Sequence, residues 1–163
     1  MNSRIFAVTC GLAMLVGCAS HRPHRPPLSD LINGQVPPMR PTQSVSDTKV
    51  LDVVLNGQLI VTMRTVRAAG TRSPIHIHPH GGQTCIISGK MTLYMDSAQP
   101  LPAGPGECYW MPPNVRMSGV NTGDTDTVML DSFVVPLGTA VWQIVEPGQE
   151  AVQAQFDNLH KHE

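Results

Sequence analysis

Apolar residues recur along the chain in short runs rather than at helical spacing. The run from Val50 to Arg67, VLDVVLNGQLIVTMRTVR, is rich in aliphatic and β-branched residues on both sides of Asn56-Gly57. An Asn-Gly pair between two such runs is the strongest short-range signal for a β-hairpin. The pattern therefore predicts two antiparallel strands that are joined at this turn.

Further short runs follow at regular intervals, and glycine, proline or asparagine ends each of them. They are the histidine-containing run at 76–80, TCIISGKMTLYM at 84–95, ECYWMPP at 107–113, the two runs flanking the turn at 121–126, and TAVWQIVEP at 139–147. About nine short strands at this spacing predict an all-β sandwich or barrel. The tail has Val152 as its one β-branched residue, which predicts a short C-terminal helix.

The N-terminal residues have the pattern of a signal peptide. The apolar run IFAVTCGLAMLVG, residues 5–17, is shorter than the roughly 20 residues that span a bilayer. The next residue completes LVGC, which resembles a bacterial lipobox and implies cleavage before Cys18 and lipidation of its thiol. An ordinary secretory signal that is cut near Ala19 or Ser20 is the alternative. Because Ala19 replaces the aspartate that retains lipoproteins in the inner membrane, the resemblance implies the periplasmic face of the outer membrane.

Composition divides the chain into four segments. We expect a lipoprotein signal at 1–17, a proline-rich tether at 18–48, a β-barrel at 49–147 and the tail at 148–163. The formal charge is -1, and only seven residues are Phe, Tyr or Trp, so neither charge nor stacking surface indicates nucleic-acid binding. The expected partners are a small molecule and, through the lipid anchor, a membrane.

Two cysteines remain in the mature chain once Cys18 carries lipid. In an oxidising compartment Cys85 and Cys108 can form a disulfide. The alternative is a pair of buried apolar thiols, because free cysteine is among the most buried residue types. The sequence leaves both alternatives open.

Two stretches of the chain resemble the two motifs of the cupin superfamily of small β-barrels. The first motif is a glycine, five residues, the pattern His-x-His, and a glycine after an aliphatic strand. Its positions in this chain are Gly70, His76, His78 and Gly89. The second motif is matched at Gly106, Pro112 and Asn121. The resemblance covers residues 60–135 and implies a double-stranded β-helix, or jelly roll, that can form a homodimer through edge strands.

Strand geometry relates the three clustered histidines to one another. Residues i and i+2 of a strand point to the same face, about 6.6 Å apart, so His76 and His78 can share one metal ion inside the barrel. His80 has the same parity but reaches that ion only if the chain bends back at Gly81-Gly82. We take His80 as the candidate catalytic proton shuttle. Hydrogen-bonded core histidines are the alternative to a metal site.

Two of the four ligands that the cupin resemblance implies are altered in this chain. The usual glutamate falls at Gly82 or Gln83, and the usual third histidine falls at Met117. The expected metal ligands are therefore His76, His78 and the amide oxygen of Gln83. Neutral ligands give a divalent ion no compensating charge, so Zn²⁺, Mn²⁺ or Fe²⁺ would bind weakly and would attract a small anion.

Three hypotheses for function follow from this ligand set. The first is a metal-dependent cupin enzyme, of dioxygenase, isomerase or lyase type, in which the ion acts as a Lewis acid. The second is a copper-handling protein, in which Met117 and Cys85 join the two histidines as soft ligands. The third is a metal-free binding module, in which His76, His78 and Gln83 hydrogen-bond a ligand. Its apolar cavity is lined by Tyr109, Trp110, Met111 and Met117.

Overall fold

Twelve strands and one helix make up the part of the chain that the computed structural model describes, residues 26–159. In chain order they are β1 (Arg40–Pro41), β2 (Ser46–Leu55), β3 (Gln58–Arg67), β4 (Thr71–Arg72), β5 (His76–Ile77), β6 (Gly82–Ser88), β7 (Met91–Met95), β8 (Leu101–Ala103), β9 (Cys108–Met111), β10 (Met117–Asn121), β11 (Thr127–Pro136), β12 (Gln143–Ile144) and α1 (Glu150–Leu159). The all-β prediction and the short C-terminal helix are confirmed.

The strands form two sheets that face each other. One sheet has five strands in the order β2-β3-β11-β6-β9, and all of its pairings are antiparallel. The predicted hairpin joins β2 to β3, with positive φ at both Asn56 and Gly57. Asparagine and glycine are the residues that enter this left-handed region at low cost, which is why the pair makes a tight turn.

The second sheet has seven strands, and β10 lies at its centre. Its main path is β1-β4-β10-β5-β12, and β7 pairs with β10 and carries β8 on its other side. Strand β5 is short, but β10 and β12 hold it on both edges. The histidine-bearing segment is therefore fixed by backbone hydrogen bonds on two sides.

The core lies between the two sheets and follows the two-residue period of the strands. Along β3 the residues at 59, 61, 63, 65 and 67 are buried, and the residues between them are half-buried or exposed. The larger apolar cluster includes Met63, Ile86, Met111 and Met129. Successive side chains of a strand point to opposite faces, so these long strands present one face to the interior.

Order begins earlier than the predicted barrel boundary at residue 49. Ile32 is buried in a smaller apolar cluster with Ile75, Ile77 and Val145, and β1 pairs in parallel with β4. The described part of the predicted tether therefore packs against the barrel, because it carries an isoleucine that the second sheet buries. The proposed signal peptide, Cys18 and the last four residues lie outside the described residues. No helix within residues 26–159 has the length and apolar character to cross a bilayer.

Cys85 and Cys108 form a disulfide that links β6 to β9. The two residues are direct cross-strand partners, with 4.0 Å between their Cα atoms. The alternative of two buried thiols is therefore wrong. The copper hypothesis also loses Cys85, because a disulfide sulfur does not supply a thiolate ligand.

Candidate functional site

His76 begins β5 and His78 directly follows this strand, and the two side chains lie next to each other in the interior. Both are buried, and their ring centroids are 4.9 Å apart in an edge-to-face arrangement. His76 Nδ1 donates a hydrogen bond to the Pro74 carbonyl at 2.8 Å, and His78 Nδ1 donates to the Val141 carbonyl at 2.9 Å. A carbonyl only accepts, so each ring carries its proton on Nδ1 and keeps the Nε2 lone pair free.

Burial keeps both imidazoles neutral at physiological pH. It lowers the pKa of His76 well below its ordinary value, and the neighbouring His78 lowers that pKa further. Burial also lowers the pKa of His78 to about 4, against the opposing effect of the Val141 carbonyl. Two uncharged rings with free Nε2 atoms can accept hydrogen bonds or ligate a metal, but they add no positive charge.

Both histidines border a cavity of about 100 Å³ between the sheets. Two aromatic rings pack on them: Trp142 lies edge-on to His76 at 4.9 Å, and Phe133 lies at 4.8 Å from His78. The exposed Gln43 and the half-buried Val152 of α1 also border the cavity, which therefore reaches the surface beside the helix. A small ligand has both room and a route of entry here.

A second polar group borders the same cavity from the five-stranded sheet. Thr84 Oγ1 donates a hydrogen bond of 2.5 Å to Asp131 Oδ1, and Arg67 and Tyr109 border the cavity beside them. Burial raises the pKa of Asp131, whereas the hydroxyls of Thr84 and Thr65 act to lower it. Burial likewise raises the pKa of Tyr109 and lowers that of Arg67. The two histidines and the group formed by Arg67, Thr84 and Asp131 thus border the same cavity.

Four methionines border the cavity as well. They are Met63 on β3, Met91 on β7, Met111 on β9 and Met129 on β11. Each is nearly fully buried. Methionines from both sheets therefore line the cavity that the two imidazoles border.

Gln83 does not join the histidines. Its side chain is exposed on the outer face of β6, where Nε2 lies 3.1 Å from Cys85 Sγ. Strand alternation explains the placement, because Gly82 and Thr84 occupy the inward positions on either side of it. The expectation that Gln83 supplies a metal ligand is therefore corrected.

Trp110 and His80 also lie away from the cavity. Trp110 is 58% exposed, since β9 directs its neighbours Tyr109 and Met111 inward. His80 is exposed in the turn that precedes β6, where Gly81 has a φ of 74° and the chain turns without directing the ring back to the interior. A proton shuttle at His80 would act from solvent, so the structure does not support that role.

Met117 stands at the expected third-histidine position, opposite His76 on β10, but it does not border the cavity. It is fully buried within the larger apolar cluster. At the glutamate position, a Cβ added to Gly82 would lie 2.4 Å from the Phe133 ring. The ring of Phe133 thus occupies the space that a glutamate side chain would need.

The donor set does not fit the divalent metal that the cupin resemblance implies. Within the described residues no three His, Cys, Asp or Glu side chains come together as a metal-binding group. The two imidazoles are neutral, and Phe133 fills the carboxylate position beside His78. A divalent ion there would have neither the ligand number nor the negative charge that it requires.

Sequence reasoning missed Arg67, Thr84 and Asp131. All three lie on inward positions of long strands, together with apolar neighbours such as Met129 and Phe133. A charged residue in phase with the apolar face of a strand was the available signal. Such a residue must be paired or face a cavity, because burial of an isolated charge is costly.

Comparisons with known proteins agree with this architecture. Residues 62–133 match the family model described as a cupin domain. No curated protein is significantly similar to the chain.

Several solved structures share the fold. The DMSP lyase DddQ from Ruegeria pomeroyi DSS-3 aligns with a TM-score of 0.52 at 20% identity, over 62% of this chain and 51% of that one. A recombinant oxalate oxidase in complex with glycolate gives 0.51 at 21%, over 61% and 54%. A cupin-like protein from Thermotoga maritima MSB8 gives 0.50 at 16%, over 60% and 73%. This chain spans about half the length of the two enzymes, and at these identities the likeness establishes the fold alone.

Proposed function

We propose that this chain, whose residues 62–133 match the cupin-domain family model, binds a small molecule in the cavity between its two sheets. The cavity of about 100 Å³ carries the proposal, because buried polar groups converge on it from both sheets. An apolar cavity of about 150 Å³ holds benzene, so the ligand should have only a few non-hydrogen atoms. Concave, mostly apolar sites with a few placed polar groups are typical of ligand pockets.

The polar groups favour a ligand that both donates and accepts hydrogen bonds. His76 and His78 offer Nε2 acceptors, and Arg67 and Tyr109, which border the same cavity, offer donors. The ligand that we propose is therefore a small uncharged polar molecule with an apolar body. The sequence predicts a small anion, bound either to a metal or to the histidines themselves. We do not propose an anion, because both imidazoles are neutral and Asp131 borders the cavity together with Arg67, so the cavity offers no net positive charge.

A pair of neighbouring residues provides the test. Tyr109 borders the cavity and Trp110 faces solvent, so Tyr109→Phe and Trp110→Phe are matched changes on opposite faces of β9. The full chain is screened by thermal unfolding against small alcohols, amides and phenols, and each hit is titrated by calorimetry. We expect Tyr109→Phe to weaken binding about tenfold, the worth of roughly one hydrogen bond, and Trp110→Phe to leave it unchanged.

Two results would count against the binding site. One is that no compound raises the unfolding temperature of the wild-type chain. The other is that Tyr109→Phe and Trp110→Phe bind every hit with the same affinity as the wild type. The first result would mean that the chain binds none of these compounds. The second would mean that the ligand binds outside the cavity.

We also propose that the chain is lipid-anchored at Cys18 on the periplasmic face of the outer membrane. The lipobox-like LVGC supports the anchor, and the Cys85–Cys108 disulfide is consistent with an oxidising compartment. In a bacterial host, mass spectrometry should find acyl chains on Cys18, and Cys18→Ser should move the protein to the soluble fraction. An unlipidated wild-type protein would refute the anchor.

Self-association completes the proposal. Strand β2 is the outer strand of its sheet, and it leaves five apolar side chains exposed: Val50, Leu51, Val53, Val54 and Leu55. Unpaired edge strands of this kind recruit further strands. We propose that two copies pair through β2. Light scattering should give twice the chain mass, and Val53→Lys should return the mass to that of one chain.

A further inference from the structure

The methionines that line the cavity together with the two imidazoles form a ligand set that differs in kind from the usual cupin shell. We propose that this cavity holds a Cu(I) site, with His76 Nε2, His78 Nε2 and Met111 Sδ as ligands and with Met63, Met91 and Met129 in the same lining. This site uses the same cavity as the proposed small molecule but does not depend on that molecule.

The imidazoles are already oriented for ligation. Each Nδ1–H is held by a backbone carbonyl, at 2.8 Å for His76 and 2.9 Å for His78. Such second contacts fix the tautomer and the ring orientation of metal-binding histidines. With 4.9 Å between ring centroids, the two Nε2 atoms belong to one small region of the cavity wall.

Met111 is the thioether that the sheet register brings toward this region. Its cross-strand partner on β6 is Gly82, and the Phe133 ring fills the space beside Gly82, so Met111 lies close to Phe133. Phe133 in turn packs against His78 at 4.8 Å. Met111 Sδ lies 3.5 Å from Thr84 Oγ1, which is itself a cavity residue.

The chemistry of this donor set selects a soft monovalent ion. Thioether sulfur and imidazole nitrogen are neutral, and thioethers favour Cu(I) over hard divalent ions. Cu(I) carries one charge and accepts few ligands, so the missing carboxylate costs less than it would for Zn²⁺. The carboxylate of Asp131 already accepts a hydrogen bond from the Thr84 hydroxyl.

The test is a copper titration of the full chain in detergent. Cu(I) is added without oxygen, in ascorbate, against the chromophoric chelator bathocuproine disulfonate. We expect one Cu(I) per chain, and at least about a tenfold loss of affinity in His78→Ala and in Met111→Leu, as for other losses of a metal contact. Met117→Leu is the control, because Met117 is a buried methionine outside the cavity.

Two further measurements make the result decisive. X-ray absorption should show sulfur around the bound copper in the wild type and less sulfur in Met111→Leu, which conserves side-chain volume and should fold. Replacement of His21, His24, His160 and His162 by Gln should leave the affinity unchanged, since these histidines lie outside the described residues. The proposal is overturned if Met111→Leu binds Cu(I) as tightly as the wild type, if the four-fold Gln variant loses the copper, or if equimolar Zn²⁺ displaces it. A small-molecule site without copper would remain detectable by the Tyr109 and Trp110 pair.

Discussion

The two sheets contribute to the cavity in different ways. The five-stranded sheet presents long strands whose regular alternation turns Thr84, Tyr109 and Asp131 inward. The other sheet presents the short strand β5, in which His76 and Ile77 are both buried, on opposite sides. In the five-stranded sheet, the inward direction of these side chains follows from strand parity alone. In the other sheet, it depends on contacts between β5 and distant parts of the chain.

The anchor of β5 is the buried pair of Arg72 and Glu146. Arg72 donates from both terminal nitrogens to the carboxylate, and Glu146 Oε2 also accepts the Ile75 backbone N–H at 2.7 Å. This one carboxylate ties the strand before His76 to the segment after β12. The histidine-bearing strand is therefore held by a long-range ionic contact in addition to its backbone hydrogen bonds, whereas the opposite wall is held by sheet hydrogen bonds.

The largest expected effect comes from the removal of that anchor. Glu146→Ala leaves the Arg72 guanidinium buried without its partner, which should lower the free energy of unfolding by about 3–5 kcal/mol. Urea denaturation measures the loss. Arg116→Ala breaks an ion pair with Asp96 that is about a quarter exposed, and it should cost less than about 1 kcal/mol. Equal losses in the two variants would show that Glu146 does not anchor β5.

A second effect concerns the pH dependence of the stability that His78 contributes. His78 has a pKa of about 4 in the folded chain and an ordinary value near 6.5 when unfolded. Between these pH values the imidazole of His78 binds a proton in the unfolded chain but not in the folded chain. The stability that this neutral imidazole contributes is therefore present above pH 6.5, and roughly 3 kcal/mol of it is lost as the pH falls toward 4.

Urea denaturation of the metal-free chain at several pH values tests this expectation. The raised pKa of Asp131 acts in the opposite direction, and the lowered pKa of His76 acts in the same direction. The comparison is therefore made with His78→Gln, whose stability should fall less steeply with acidification. Parallel curves for the two proteins would contradict a neutral buried imidazole at position 78.

The smallest expected effect comes from restoring the carboxylate that the cupin resemblance implies. Gly82→Glu forces a side chain against the Phe133 ring, which should cost about 1–3 kcal/mol of unfolding free energy. Combined with Phe133→Ala, the cost should be smaller than the sum of the two single changes. The double variant should also bind Zn²⁺ in calorimetry, because it gains a carboxylate near His78. Additive costs would mean that Phe133 does not fill this space.

The same contrast explains which parts could be predicted. The hairpin at Asn56-Gly57 and the succession of strands follow from local turn chemistry and apolar runs. Strand parity predicts that His76 and His78 point to the same side, whereas their inward direction depends on the long-range anchors of β5. Parity also places Gln83 and Trp110 outside, whereas the spacing of the cupin motif alone indicates Gln83 as a ligand.

Other features could not be predicted because no local pattern encodes them. The pairing of Arg72 with Glu146 joins residues that are 74 positions apart. The burial of Ile32 depends on an apolar cluster that only the folded second sheet creates. The loss of the glutamate position could be read from Gly82, but the occupation of its space by Phe133 required the register of β6 and β11.

The bridge between Cys85 and Cys108 has a practical consequence for work on this barrel. It lies on the outer face of β6 and β9, directly behind Thr84 and Tyr109. Protein produced in a reducing cytoplasm would have the same inward residues on two strands that are no longer cross-linked. The thiol content of each preparation should therefore be titrated before affinities are compared, since unequal oxidation could otherwise be mistaken for an effect of the cavity residues.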